Sequence, residues 1–202
     1  MNPWMKWVAF QCHLPLARTS PTGEFCDWDA PLAQKAKSLA DRIRGTHFPE
    51  IRPAKIVTSR APYTNATAAL MWPGAHVDAT DSRFGPDLRE MGIWREFQNL
   101  PKTATGKEFS EANPSMIDRL GRDCIRAIGD LHSGMETGKL LWCVSHSPHT
   151  DVVARIMREG FHRNLSEGSG WLPNRFESGA FMLAGYFEDE LKYCRYYTVP
   201  RA

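Results

Sequence analysis

Hydrophobic and polar positions along the 202-residue chain alternate between strand-like and helix-like patterns. Residues 7–12 (WVAFQC) and 54–59 (AKIVTS) read as strands. Residues 139–145 (KLLWCVS) form a nearly continuous apolar run bounded by turn signals, as expected of a central parallel strand buried on both faces. From Pro31, PLAQKAKSLADRIRG spaces Leu32, Ala36, Leu39, Ala40 and Ile43 as one helix face, with Asp29 as cap, Pro31 early and Gly45 as stop. TNATAALMW (64–72) is helical in pattern. A longer helix follows Asn113, which caps it, and Pro114, which opens it; Ile117, Leu120, Cys124, Ile128 and Leu131 make its apolar stripe. Ser147-Pro148 begins a further helix, HTDVVARIMREG. SGAFMLAGYF and LKYCRYYTV, separated by EDE, read as two more strands, antiparallel partners at the sheet edge. Residues 73–111 are rich in Gly, Pro, Asp and Thr and lack a sustained period. They read as an irregular excursion with a short helical piece near DLREMGIWREF, the kind of long loop that acts as a lid or binding element.

Strands alternating with helices predict a three-layer α/β/α sandwich with a mostly parallel central sheet. The length suits one domain over residues 1–202, with a lid-like insertion at about 73–111. Composition changes this picture little: 42% hydrophobic and 24% charged residues are ordinary for a globular chain. Lys+Arg 25 against Asp+Glu 23 leaves a formal charge of +2, dispersed along the chain, which is no footprint for nucleic acid or an anionic membrane. The amino terminus lacks a secretory pattern and no segment is apolar for long enough to span a bilayer, so a cytoplasmic protein is expected. Five cysteines without a paired C-x-x-C cluster argue against a disulfide framework and against structural zinc. His146 and His149 form H-x-x-H, but a helix start between them spoils a one-face geometry and no carboxylate completes a metal site. Trp72 and Trp94 read as packing residues.

In parallel α/β sheets, ligands bind beyond the carboxyl ends of the strands. The residues leaving the three strongest strands are Cys12-His13, Ser59-Arg60 and Ser145-His146. Two of the three exits carry a histidine. An imidazole with one nitrogen held by a backbone carbonyl presents the other lone pair as a nucleophile. A helix start at Ser147-Pro148 adds backbone N–H groups suited to an anion.

FQCHL, TSRAPYTNATA, LREMGIW and VSHSP occur in an order and at separations that resemble the histidine phosphatase superfamily, which includes the phosphoglycerate mutases. The family pattern is a strand ending in Arg-His-Gly, then S-x-x-x-R-A-x-x-T-A, then L-x-E-x-x-x-G-x-W, then a strand ending in His-Gly. DAPLAQKAKSLA is similar to the family's D-x-P-L-T helix. The resemblance implies phosphoryl transfer in which His13 attacks phosphorus, a phosphohistidine forms and water hydrolyses it. Glu90 would protonate the leaving oxygen, with Glu96 and Asp87 as competitors, and His146 and arginines would hold the phosphoryl oxygens. The implied substrate is a small phosphorylated molecule, with neither metal nor organic cofactor.

The chain also departs from that pattern. Cys12 stands where the family has arginine, Leu14 and Ser147 where it has glycine. In the register that matches Ser59, Thr67 and Ala68, the family's second arginine falls on Tyr63; a rival register uses Arg60-Ala61 and Thr64. A phosphate site that lacks one charge-assisted hydrogen bond, with nothing in its place, is weaker by about 1.5–3 kcal/mol. Arg18 and Arg60, placed just after the first two strands, are the candidates to restore the charge. Two other readings stay open. One is a catalytically impaired member that binds a phosphorylated ligand or a protein partner. The other is a cysteine-based phosphatase, because Cys12 to Arg18 spells C-x-x-x-x-x-R; against it, HLPLA contains no glycine and its Pro15 cannot donate to an anion.

Overall fold

The computed structural model describes residues 1–17, 31–85, 108, 111–146, 150, 153 and 177–199. Six strands form one sheet: β1 (Lys6–Cys12), β2 (Lys55–Thr58), β3 (Ala79–Thr80), β4 (Leu140–Ser145), β5 (Phe181–Phe187) and β6 (Glu190–Tyr197). Their order across the sheet is β3-β2-β4-β1-β5-β6. The β3-β2-β4-β1 part is parallel, whereas β5 and β6 are antiparallel additions, with β6 at the edge. The helices are α1 (Ala36–His47), α2 (Pro62–Met71) and α3 (Pro114–Ser133). No helix among the described residues is long and apolar enough to cross a membrane.

Strand alternation divides the core between the two faces of the sheet. Trp7, Ala9, Trp142, Val144 and Phe181 pack on one face with Leu39 and Ile43 of α1 and Ala68 and Met71 of α2. Val8, Phe10, Cys12, Val57 and Cys143 pack on the other with Cys124 and Ile128 of α3. All six residues of β4 are buried, as its unbroken apolar run requires. Trp72 and Trp142 meet edge-on at 5.0 Å and both touch Phe48, which makes Trp72 a core residue. A fully buried side chain of this kind contributes on the order of 1.5–3 kcal/mol by leaving water.

Several element boundaries differ from the sequence reading. Helix α1 begins at Ala36, not Pro31, because residues 31–33 are engaged elsewhere: Ala17 donates to the Pro31 carbonyl, Ala33 donates to Pro15, and Leu16 and Leu32 form an isolated antiparallel bridge. Gly45 does not stop the helix, which continues to His47 while Phe48 buries itself in the core. The glycine penalty of about 1 kcal/mol is smaller than that burial. Arg44, in the same turn, donates to the carbonyls of Leu70 and Met71 and so satisfies the carboxyl end of α2. Helix α2 starts two residues early with Pro62 in its first turn. Strand β3 lies inside the stretch expected to be irregular; its two residues are too few to show alternation and exist through parallel pairing with Val57 and Thr58. The long helix follows expectation, with Asn113 accepting from Met116 N–H as its cap. Thr150 and Val153 are helical, in keeping with the helix expected after Ser147-Pro148.

Candidate functional site

The parallel pairing of β1 with β4 sets Cys12 opposite Ser145. The next residue on each strand is a histidine, so His13 and His146 leave adjacent strands side by side at the carboxyl edge of the sheet. Backbone bonds continue the ladder past that point: His13 N–H donates to Ser145 at 2.9 Å, and Ser59 N–H donates to Val144 at 3.0 Å. Three strand exits therefore converge, as the topology of a parallel sheet requires.

His13 is buried and its Nδ1 lies 2.7 Å from the Leu14 carbonyl. A carbonyl can only accept, so Nδ1 carries the proton and Nε2 of the neutral ring carries the lone pair. Burial pushes the His13 pKa down from 6.5 to about 4; the bond to Leu14 opposes that shift and the neighbouring His146 adds to it. His13 is thus a neutral imidazole at neutral pH.

The loop that holds it is braced from two directions. Leu14 N–H donates to Thr67 Oγ1 of α2 at 3.0 Å, which holds the backbone of the residue whose carbonyl binds His13. On the other side, Gly179 N–H donates to the His13 carbonyl at 2.8 Å, with a longer branch to Cys12 at 3.3 Å. Gly179 has φ +87°, and a Cβ there would press on Leu39, Ile43 and Leu14, so glycine suits both the backbone and the space. Its carbonyl accepts from Gln11 Nε2, and Gln11 Oε1 accepts from Trp142 Nε1 at 3.0 Å. A fully buried glutamine in a central strand is explained by this relay from the core to the turn behind His13.

Tyr63, on the first turn of α2, is buried with its ring centroid 4.7 Å from His13 and 6.0 Å from His146. Sequence reasoning named Tyr63 only through an alignment register; its ring contacts with both histidines are what the structure adds. Ser59 and Thr64 tie the start of α2 to the end of β2, with Ser59 Oγ 3.1 Å from Thr64 Oγ1 and Thr64 Oγ1 donating to the Ala61 carbonyl at 2.6 Å. Arg60 lies at the same edge of the sheet but is exposed, and its charge helps hold the Asp81 carboxyl below the ordinary range, after the larger effect of Arg83. His146 is buried, and the backbone of Gly85 lies against its Nε2 edge.

Cys12 points the other way. It is 2% exposed in the cluster with Phe10, Val57, Cys124 and Cys143, on the α3 face of the sheet. Arg18, Glu90 and Ser147 fall outside the described residues, as do Asp87, Glu96, Trp94 and His149. Arg18 follows Ala17, which is exposed where the chain leaves the Leu16–Leu32 bridge. Residues that the sequence reading did not single out, Gln11, Gly85 and Gly179, build the site through partners far away along the chain. A lone polar residue in the apolar run of β1 was the one available signal for Gln11. Among the described residues, no group of three or more His, Cys, Asp or Glu side chains converges as a metal site.

A six-stranded, mostly parallel sheet flanked by helices, with two histidines at the exits of neighbouring central strands, defines a phosphoglycerate-mutase-like α/β fold. Comparison with solved structures agrees. The chain is similar to phosphoglycerate mutase from Bacillus anthracis (TM-score 0.59, 13% identity, 95% of this chain and 93% of that one). It is likewise similar to YhfR of Bacillus stearothermophilus (0.57, 16% identity, 92% and 93%). A protein from Nakamurella multipartitia assigned as a phosphohistidine phosphatase superposes with a TM-score of 0.52 at 15% identity, over 98% of this chain and 96% of that one. No protein-family model matches the sequence, and no curated protein matches it either. The chain has the histidine phosphatase fold, shared with these structures at low sequence identity.

Proposed function

We propose that the chain hydrolyses a small phosphate monoester through a phosphohistidine on His13. The observation that carries this reading is the approach of Nδ1 to the Leu14 carbonyl, which leaves Nε2 as a neutral nucleophile beside a second strand-end histidine. In the reaction, Nε2 attacks phosphorus, the bond from phosphorus to the ester oxygen breaks, and that oxygen takes a proton from Glu90. Water then attacks the phosphohistidine, the P–N bond breaks, Glu90 recovers a proton from the water and inorganic phosphate leaves. His146 stabilises the phosphoryl oxygens as charge develops on them, together with Arg18, Arg60, Tyr63 and Ser147. Glu90 is assigned through the resemblance and through chain reach: Gly85 adjoins His146, and five residues span at most about 18 Å. No metal or organic cofactor takes part in this scheme.

A second reading has its own support. Cys12 and Tyr63 occupy positions where the superfamily pattern has arginine, and Arg60 is exposed, so a site that binds a phosphorylated ligand without turning it over fits the same geometry. Burial of Cys12 among apolar side chains, on the face away from His13, speaks against a cysteine nucleophile.

The test is hydrolysis of a chromogenic phosphate ester by wild type, His13→Ala and Cys12→Ser. Loss in the histidine variant alone, with an acid-labile and alkali-stable phosphoenzyme in wild type, is expected. Loss in the cysteine variant alone overturns the scheme. Wild type that binds phosphate without turnover establishes the binding reading.

A further inference from the structure

The chain between β3 and the stretch that carries Glu90 makes a single 3-10 turn, Ser82–Phe84, closed by Gly85. Gly85 has φ +151°, and a Cβ there would lie 2.4 Å from His146 Nε2, 2.9 Å from Cδ2 and 3.2 Å from Cε1. Any side chain would therefore displace the imidazole or the turn. The turn has little freedom to give way. Ser145 Oγ donates to the Phe84 carbonyl, the Phe84 ring is fully buried beside Phe10 at 5.9 Å, and Arg83 binds Asp81 at 2.7 Å and Asp130 of α3 at 2.8 Å. Phe84 N–H and Gly85 N–H close the turn onto Asp81 and Ser82.

We propose that this turn is a positioning element for His146, in which Gly85 supplies the surface against which the imidazole is set and the Arg83 clamp holds that surface to α3. The proposal rests on the reading of His146 as part of the phosphoryl site. Such constellations depend on side chains held by their supporting shell to within a fraction of an ångström.

The decisive measurement is the long-range ¹H–¹⁵N spectrum of imidazole-labelled protein, with His146 assigned from its absence in His146→Gln. Gly85→Ala and Arg83→Met are compared with wild type, and the exposed His76 serves as internal control. Both variants are expected to change the His146 ring nitrogen shifts or its titration midpoint without moving His76, and to lower kcat on a chromogenic ester at least tenfold in Gly85→Ala. A folded Gly85→Ala with unchanged His146 signals overturns the proposal. Should Gly85→Ala fail to fold, Arg83→Met decides, and unchanged His146 signals there overturn it. A wild type without hydrolysis defeats the phosphatase reading alone, because the His146 signals still report positioning.

Discussion

The ring of Tyr63 stands 4.7 Å from that of His13 and 6.0 Å from that of His146, in contact with both histidines that end adjacent strands. In the register that aligns Ser59, Thr67 and Ala68 with the histidine phosphatase pattern, this position belongs to an arginine. Tyrosine offers similar length and a polar tip but no permanent charge. Tyr63→Arg is expected to tighten binding of inorganic phosphate or vanadate by about 10- to 100-fold, the worth of one charge-assisted hydrogen bond, and to lower the melting temperature because burying a guanidinium costs its solvation. Calorimetric titration of both proteins checks this. Unchanged affinity would remove the support for the Tyr63 register.

Protonation of His13 should govern part of the acid sensitivity of the fold. Its pKa is lowered from 6.5 to about 4 by burial, so between those values the unfolded chain holds more protons than the folded one. The stabilisation is complete above about pH 6.5 and is lost as pH falls towards 4, amounting to about 3 kcal/mol over the span. His47 and His132, also lowered chiefly by burial, act in the same direction. Urea midpoints at pH 7.5 and pH 4.5 should differ markedly in wild type and less in His13→Asn. Equal losses in the two proteins would contradict the assignment.

Thr67 reaches His13 through Leu14, accepting from its N–H while the Leu14 carbonyl receives the His13 Nδ1 proton. Thr67→Val strands the Leu14 N–H in a buried site at a cost of about 1–3 kcal/mol and loosens the backbone of the residue whose carbonyl sets the tautomer. Lower stability and lower kcat are expected together, with Thr67→Ser restoring both. A Thr67→Val protein with full activity would show that the Leu14 backbone needs no such anchor.

Gln11 couples Trp142 to Gly179, and Gly179 holds the backbone of His13. Gln11→Leu fills similar volume but leaves the Trp142 N–H and the Gly179 carbonyl without these partners, at about 1–3 kcal/mol for each buried group. Denaturant titration should show the loss. A change below about 0.5 kcal/mol would mean that other groups satisfy both atoms.

Helix α3 provides a contrast remote from the site. Its cap, Asn113 to Met116 N–H at 3.2 Å, should be worth about 1 kcal/mol, and Asn113→Ala should lower stability by that amount while leaving ester hydrolysis unchanged. A loss of activity without a loss of stability would show that the helix start does more than cap.

Local pattern carries much of this molecule. The apolar runs of β1 and β4 and the Asn113 cap of α3 are properties of a few neighbouring residues, so strand identity, the parallel sheet and the two histidines at strand ends could be read directly. Elements decided by distant partners could not. Residues 31–33 left α1 because they pair with the Pro15–Ala17 segment, Gly45 stayed helical because Phe48 is buried, and β3 exists only against β2. The same division runs through the site. His13 and His146 follow from strand ends, whereas the tautomer of His13, the placement of Tyr63 and the fit of Gly85 against His146 depend on the register of β1 with β4 and on the docking of α2 and the Ser82–Phe84 turn. Sequence specifies which residues leave each strand, because strand period is local; which of them meet is set by long-range pairing and packing, and these only the tertiary structure decides.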